Sequence, residues 1–177
     1  MQVSVSDILE SLGKSQTIEQ EVELSFPEIK LLAPAKVKFK LTNAGNGGIA
    51  LSGHLQVKAE LQCSRCACDY AETLDIPVDE MFLPADSPEL NDGAENIDVE
   101  AENLCVFSYD NDCLDLSEVM RQNILASLPF CPLCKEDCRG ICAGCGVDLN
   151  VGTCTCNHEN ECDPRWEALK KFMPDKP

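Results

Sequence analysis

The chain has 177 residues and a net charge of −17, long enough for one domain with a core plus an appendage. It shows neither a basic start followed by an apolar run nor an apolar stretch near the roughly 20 residues that cross a bilayer, so a cytoplasmic protein without a membrane partner is expected. Thirteen cysteines do not persist as structural disulfides in a reducing compartment, and an odd number pairs badly, which points the thiols to metal or redox chemistry.

Period-two alternation dominates the N-terminal part. Val37 to Thr42 alternates apolar and polar residues, and Ile49 to Cys63 places Ile49, Leu51, Gly53, Leu55, Val57, Ala59, Leu61 and Cys63 on one face, as half-buried strands do. Between them Asn43 to Gly48 supplies residues tolerant of positive φ, predicting an antiparallel hairpin with a loose turn. The phase resumes at Leu74, Ile76 and Val78, which predicts a strand returning beside the last. Pro84 to Asn96 combines Pro, Gly and acids and reads as a loop, followed by a short strand around Leu104 to Tyr109.

Helical spacing comes later. Asp115 to Pro129 opens on Asp115 as cap with Glu118 three residues on, and sets Leu116, Val119, Met120, Ile124 and Leu128 near one stripe. Asp163 to Met173 has Asp163 as cap, Pro164 at the first helical position, and Trp166, Leu169 and Met173 at helical spacing. The expected fold is α+β: an antiparallel sheet or open barrel-like domain with two packed helices. Residues 1–129 would form this domain, with its acidic loop near 84–96, and residues 130–177 a Cys-rich arm ending in the second helix.

The charge is uneven. From Cys66 to Met120 there are sixteen acids and no Lys or Arg, whereas the flanking segments are nearly balanced. Such a field repels phosphate backbones and attracts basic partners in a salt-dependent way, or serves only to keep the protein in solution.

Spacing sorts the thiols. Cys142, Cys145 and the following Gly146 have the form of a metal knuckle, in which small residues let backbone amides turn toward sulfur. Cys154 and Cys156 offer a second pair after a turn at Asn150 and Gly152, completing a four-thiolate site of the structural zinc type. Cys63 and Cys66, at the end of the long strand, are matched with Cys134 and Cys138, which follow the helix expected to pack on that sheet. This set predicts a second Zn2+, with Cys131 as the alternative to Cys138. Cys68, Cys105, Cys113, Cys131 and Cys162 remain, and buried thiols packing as small apolar residues are the default for leftovers.

Enzyme chemistry has little in its favour. His54 falls on the polar face of a strand, His158 is a solvated neighbour of the ligands or a substitute for one, and no phosphate-cradling loop or nucleophile motif is present. Four thiolates per ion leave no open position for a small-molecule substrate. Thiol oxidoreductase and iron–sulfur readings compete, but the Cys-x2-Cys pairs show no clear thioredoxin-like strand-and-helix setting, and the spacing from Cys134 onward departs from the ferredoxin runs.

The order of LQCSRC on a strand, an acidic middle, then CLDLSEVMRQNILASLP, PLCKEDCRGICAGCGVDLN and DPRWEALKKF resembles the bacterial YceD family, the large ribosomal RNA subunit accumulation proteins. The helix departs modestly from the family pattern at Gln122 and Ala126. The resemblance implies a cytoplasmic, non-catalytic factor supporting synthesis, processing or stability of 23S ribosomal RNA. With so acidic a chain, the expected partner is a basic ribosomal protein or assembly factor. Direct rRNA contact would have to use Lys36, Lys38 and Lys40 on one strand face, or Arg65, Lys135 and Arg139 near the thiols; the simpler reading of these is a solvated face and counter-charges. Two other functions fit the thiols: a redox-switched zinc–thiolate chaperone, and a structural zinc module with an unrelated partner.

Overall fold

A computed structural model describes residues 1–87 and 106–156. In chain order it contains β1 (Gln2–Ser4), α1 (Ser6–Leu9), β2 (Ser15–Val22), β3 (Ala35–Gly45), β4 (Gly48–Gln62), β5 (Asp69–Pro84), β6 (Val106–Tyr109), β7 (Cys113–Asp115) and α2 (Ser117–Ala126). The expected helix over Asp163–Met173, most of the 84–96 loop, Leu104, Cys105, His158 and Cys162 lie outside the described residues.

Alternation sets the main sheet. Val37, Phe39 and Leu41 of β3 and Leu51, Leu55 and Val57 of β4 are buried, while Lys36, Lys38, Lys40 and His54 face water. Their antiparallel register sets Phe39 opposite Gly53 and Leu41 opposite Leu51. The hairpin turn is tighter than the loose one expected: Asn46 and Gly47 both have positive φ, at 51° and 77°, and join the paired Gly45 and Gly48 as a two-residue turn that matches strand twist. Asn43 lies just before the turn, where its Oδ1 accepts the Gly45 amide at 2.9 Å. It is buried, and its Nδ2 reaches the carbonyls of Ile8 and Ser11, each at 3.1 Å, to hold the end of α1.

β5 returns antiparallel along the whole of β4, with Leu55 opposite Ile76 and Gly53 opposite Val78. The strand order is β2-β3-β4-β5-β6, with β2 antiparallel to β3 at one edge and β6 parallel to β5 at the other. β2 and β6 do not pair, so the sheet is open and mixed. The expected antiparallel pairing holds for β2 to β5, while the parallel edge strand β6 was not expected and the sheet does not close into a barrel: side-chain period two discloses a strand but not its direction.

α2 covers the sheet's inner face. Leu116, Val119, Met120 and Ile124 are buried, and Ile8 of α1 joins them in one core. Burying each such side chain stabilises the fold by about 1.5–3 kcal/mol. The cap differs from the expected box: Leu116 occupies the capping position, Asp115 Oδ1 accepts the Ser117 amide at 2.9 Å, and Glu118 pairs with Arg121 and Gln122. β1 and β7 form a separate two-stranded ribbon. Among the described residues no helix is long and apolar enough to cross a membrane.

Candidate metal centres

Two groups of four thiols form where the sheet ends. The first joins Cys63 and Cys66 to Cys134 and Cys138, and the second holds Cys142, Cys145, Cys154 and Cys156; within each, all Sγ atoms lie within 4.8 Å of one another.

The first group is built on the turn after β4. Ala67 adopts φ 56°, and its amide donates to the Cys63 carbonyl at 2.9 Å, so the chain reverses and both thiols point the same way. The Ser64 amide donates to the Pro132 carbonyl at 2.8 Å, docking the segment that carries Cys134. Cys63 Sγ stands 3.7 Å from Cys138 Sγ, and Cys66 Sγ 3.7 Å from Cys134 Sγ. Metal–sulfur bonds of about 2.3 Å in a tetrahedron give edges of about 3.8 Å. The thiols are therefore already spaced for an ion. Cys63, Cys66 and Cys138 are buried, with Tyr70 and Leu133 packed against them.

The second group lies in the knuckle. Amides of Gly144 and Cys145 donate to Cys142 Sγ at 3.3 and 3.4 Å, and the Cys156 amide donates to Cys154 Sγ at 3.2 Å. Gly146, at φ 72°, closes the turn by donating to the Cys142 carbonyl at 2.9 Å, while the Cys142 amide donates to the Val147 carbonyl at 2.8 Å. Sulfur separations are 3.2 Å for Cys142–Cys154 and 3.6 Å for Cys145–Cys154. Cys142 is buried and Cys145 exposed, so this centre faces water more than the first.

Thiols this crowded do not all ionise together. Cys63 is drawn down to about 6, foremost by the Cys134 amide, while burial and then the surrounding thiols push Cys134 up. The Cys68 amide pulls Cys66 down, but the Cys68 thiol, burial and Cys63 outweigh it and raise Cys66 to about 12. In the second group Cys142 falls to about 6, first through the Cys145 amide, whereas the thiols of Cys154 and Cys145 lift Cys156 to about 12. Each group thus offers one ready thiolate beside reluctant partners, a set that a divalent cation can convert to full thiolate character.

Three of the leftover thiols depart from expectation. Cys68 and Cys131 are exposed and Cys113 is partly so, so none of these three is a buried filler. Cys131 stays outside both groups and Cys138 is within. Arg65, expected only as a counter-charge, and Asn150, expected only at a turn, make contacts that the sequence did not disclose. Arg65 Nη1 donates to the Cys138 carbonyl at 2.9 Å, and Asn150 Nδ2 donates to Cys138 Sγ at 3.4 Å. His54 is solvated and meets Asp75 at 3.2 Å.

The fold and these centres define a β-sheet protein carrying two four-cysteine groups, each of which could hold a metal ion. Residues 51–173 match the model of the large ribosomal RNA subunit accumulation protein YceD, and the chain belongs to that family. It is 27% identical over 127 residues to uncharacterized proteins of Mycobacterium bovis and Mycobacterium tuberculosis, covering 71% of this chain but only 56% of theirs. An uncharacterized protein of Mycobacterium leprae is 25% identical over 169 residues, which is 94% of this chain and 72% of that protein. No solved structure matches the chain.

Proposed function

We propose that the protein is a cytoplasmic, non-catalytic factor that holds two structural zinc ions and supports accumulation of 23S ribosomal RNA through a basic protein partner. The observation that carries this reading is the YceD match over residues 51–173, a stretch that includes all eight thiols of the two groups. All-thiolate tetrahedral sets suit zinc, and four protein ligands fill its coordination, so the ions order the chain rather than bind substrate.

The charge distribution favours a protein partner over bare RNA. Asp69, Asp75, Asp79, Asp86, Asp110 and Asp112 are exposed in the lysine-free middle. The lysine face of β3 is countered by its neighbour: Glu21 lies opposite Lys36 and Glu19 opposite Lys38, the latter an ion pair at 3.5 Å. A basic ribosomal protein or assembly factor complements the acidic surface better than a phosphate backbone does.

Metal analysis after anaerobic purification should find two zinc ions per chain. Affinity capture at low salt should retain basic large-subunit proteins, and that retention should fall steeply as salt is raised. Capture insensitive to salt, or selective retention of protein-free 23S rRNA, would count against this mechanism.

A further inference from the structure

The two centres share a strap of chain. Cys138 belongs to the first and Cys142 to the second, with only Arg139, Gly140 and Ile141 between them. Arg65 grips the strap from the side of the first centre: its guanidinium donates to the Cys138 carbonyl at 2.9 Å, and its own carbonyl accepts the Ile141 amide at 3.2 Å. Gly140, at φ 74°, passes so close that a Cβ there would lie 3.0 Å from the Arg65 carbonyl oxygen.

Asn150 grips it from the other side. It sits in the loop between Cys145 and Cys154 of the second centre, and its Oδ1 accepts the Arg139 amide at 2.9 Å. Its Nδ2 donates to Asp148 Oδ1 at 2.7 Å and to Cys138 Sγ at 3.4 Å. The Leu149 amide adds a bond to the Gly140 carbonyl at 2.9 Å. A loop of one centre therefore supplies a hydrogen-bond donor to a sulfur of the other. A donor aimed at sulfur fixes the ligand's direction.

We infer that Asn150 is a positioning residue that makes the two ions bind cooperatively. This rests on the reading that both groups hold metal. An ion on Cys142, Cys145, Cys154 and Cys156 fixes the loop that bears Asn150, which holds the amide against Cys138 and raises the affinity of the first group. By linkage, an ion in the first group raises the affinity of the second by the same factor. Loss of such a supporting hydrogen bond lowers metal affinity by about 10- to 100-fold, and that is the factor expected here.

The test is an anaerobic titration of the full chain with cobalt(II), against a competing chelator. Thiolate-to-cobalt absorption reports filling, and the affinity of the first group is read in each variant. Cys154→Ser disables the second group and should weaken the first by tenfold or more. Asn150→Asp keeps the acceptor for Arg139, removes the donor to sulfur, and should weaken the first group similarly. Combined with Cys154→Ser, it should add little. The exchange variant Asp148→Asn with Asn150→Asp restores a 148–150 side-chain bond yet still gives Cys138 no donor, and should remain weak. Far-ultraviolet circular dichroism of each variant shows that the sheet is intact. First-group affinity equal to wild type in Asn150→Asp, or recovered in the exchange variant, would overturn the inference while leaving two metal sites in place. A wild-type chain that takes up no metal would instead refute the underlying reading.

Discussion

Replacing Cys134 by Ser should remove one zinc and weaken the sheet itself, whereas replacing Cys154 should remove one zinc and leave the sheet nearly unchanged. Cys134 is preferred to Cys66 because the Cys68 thiol lies 3.2 Å from that of Cys66 and stands ready to replace it. Serine offers a hydroxyl that does not ionise at neutral pH, so a four-thiolate centre loses a corner without losing shape. The two centres differ in the length of chain they tie. Cys66 and Cys134 are 68 residues apart, Cys142 and Cys154 only 12. Loop-closure entropy scales as three-halves of the logarithm of length, so the longer tie restricts the unfolded chain about thirteenfold more in the folding equilibrium. Guanidinium unfolding at saturating zinc, followed by far-ultraviolet circular dichroism, measures this alongside metal analysis. The expected result is one zinc in each variant and a lower unfolding midpoint for Cys134→Ser. Two zinc ions in Cys134→Ser, or equal midpoints for the pair, would refute the reasoning.

Three further outcomes follow from the fold. Gly53→Ala should cost about 3 kcal/mol or more, because φ is 153° and the new Cβ would lie 2.1 Å from the Lys38 carbonyl oxygen; a loss under about 1 kcal/mol on denaturation would mean β3 yields there freely. Ile124→Ala, at a fully buried position of α2, should cost about 2–5 kcal/mol by leaving a cavity, read by the same assay. Hydrogen bonds from Arg121 and Gln122 hold Glu118 down to about 2 from its usual 4.5. Its folded-state value is depressed, so its contribution is complete above pH 4.5 and disappears as pH falls through about 2. The stability difference between wild type and Glu118→Gln should shrink over that window, and a constant difference across it would contradict the pairing.

Much of the sheet was legible because half-buried strands advertise themselves by period two. Buried Val37, Phe39 and Leu41 on β3 and Ile76 and Val78 on β5 follow the expected alternation. β2 gave no such signal: only Ile18 and Val22 are even partly covered, because an edge strand needs backbone partners more than a buried face. β1 and β7 have three residues each and α1 four, too short for any periodicity. The parallel direction of β6 and the shift of the α2 cap depend on where the rest of the chain lies. For the thiols, spacing identified the knuckle at Cys142–Cys145, since local backbone geometry decides it. The grouping of Cys134 and Cys138 with Cys63 and Cys66 rested on the expectation that helix and sheet would pack. The partners of Arg65 and Asn150 were hidden because a polar side chain's partner is a matter of proximity in space; the alternation of Asp148 and Asn150 beside the CG turn was the available hint.

Cys63 and Cys66 are held by the turn that closes β4, and Cys134 and Cys138 by the segment that follows α2. This makes the Cys-rich tail unlike a self-contained finger that can be grafted from one scaffold to another. Excised after α2, it would carry half of one centre and the whole of the next, and could fold only around the latter. The tail is stitched to its body rather than appended to it, so the two are expected to have been inherited together.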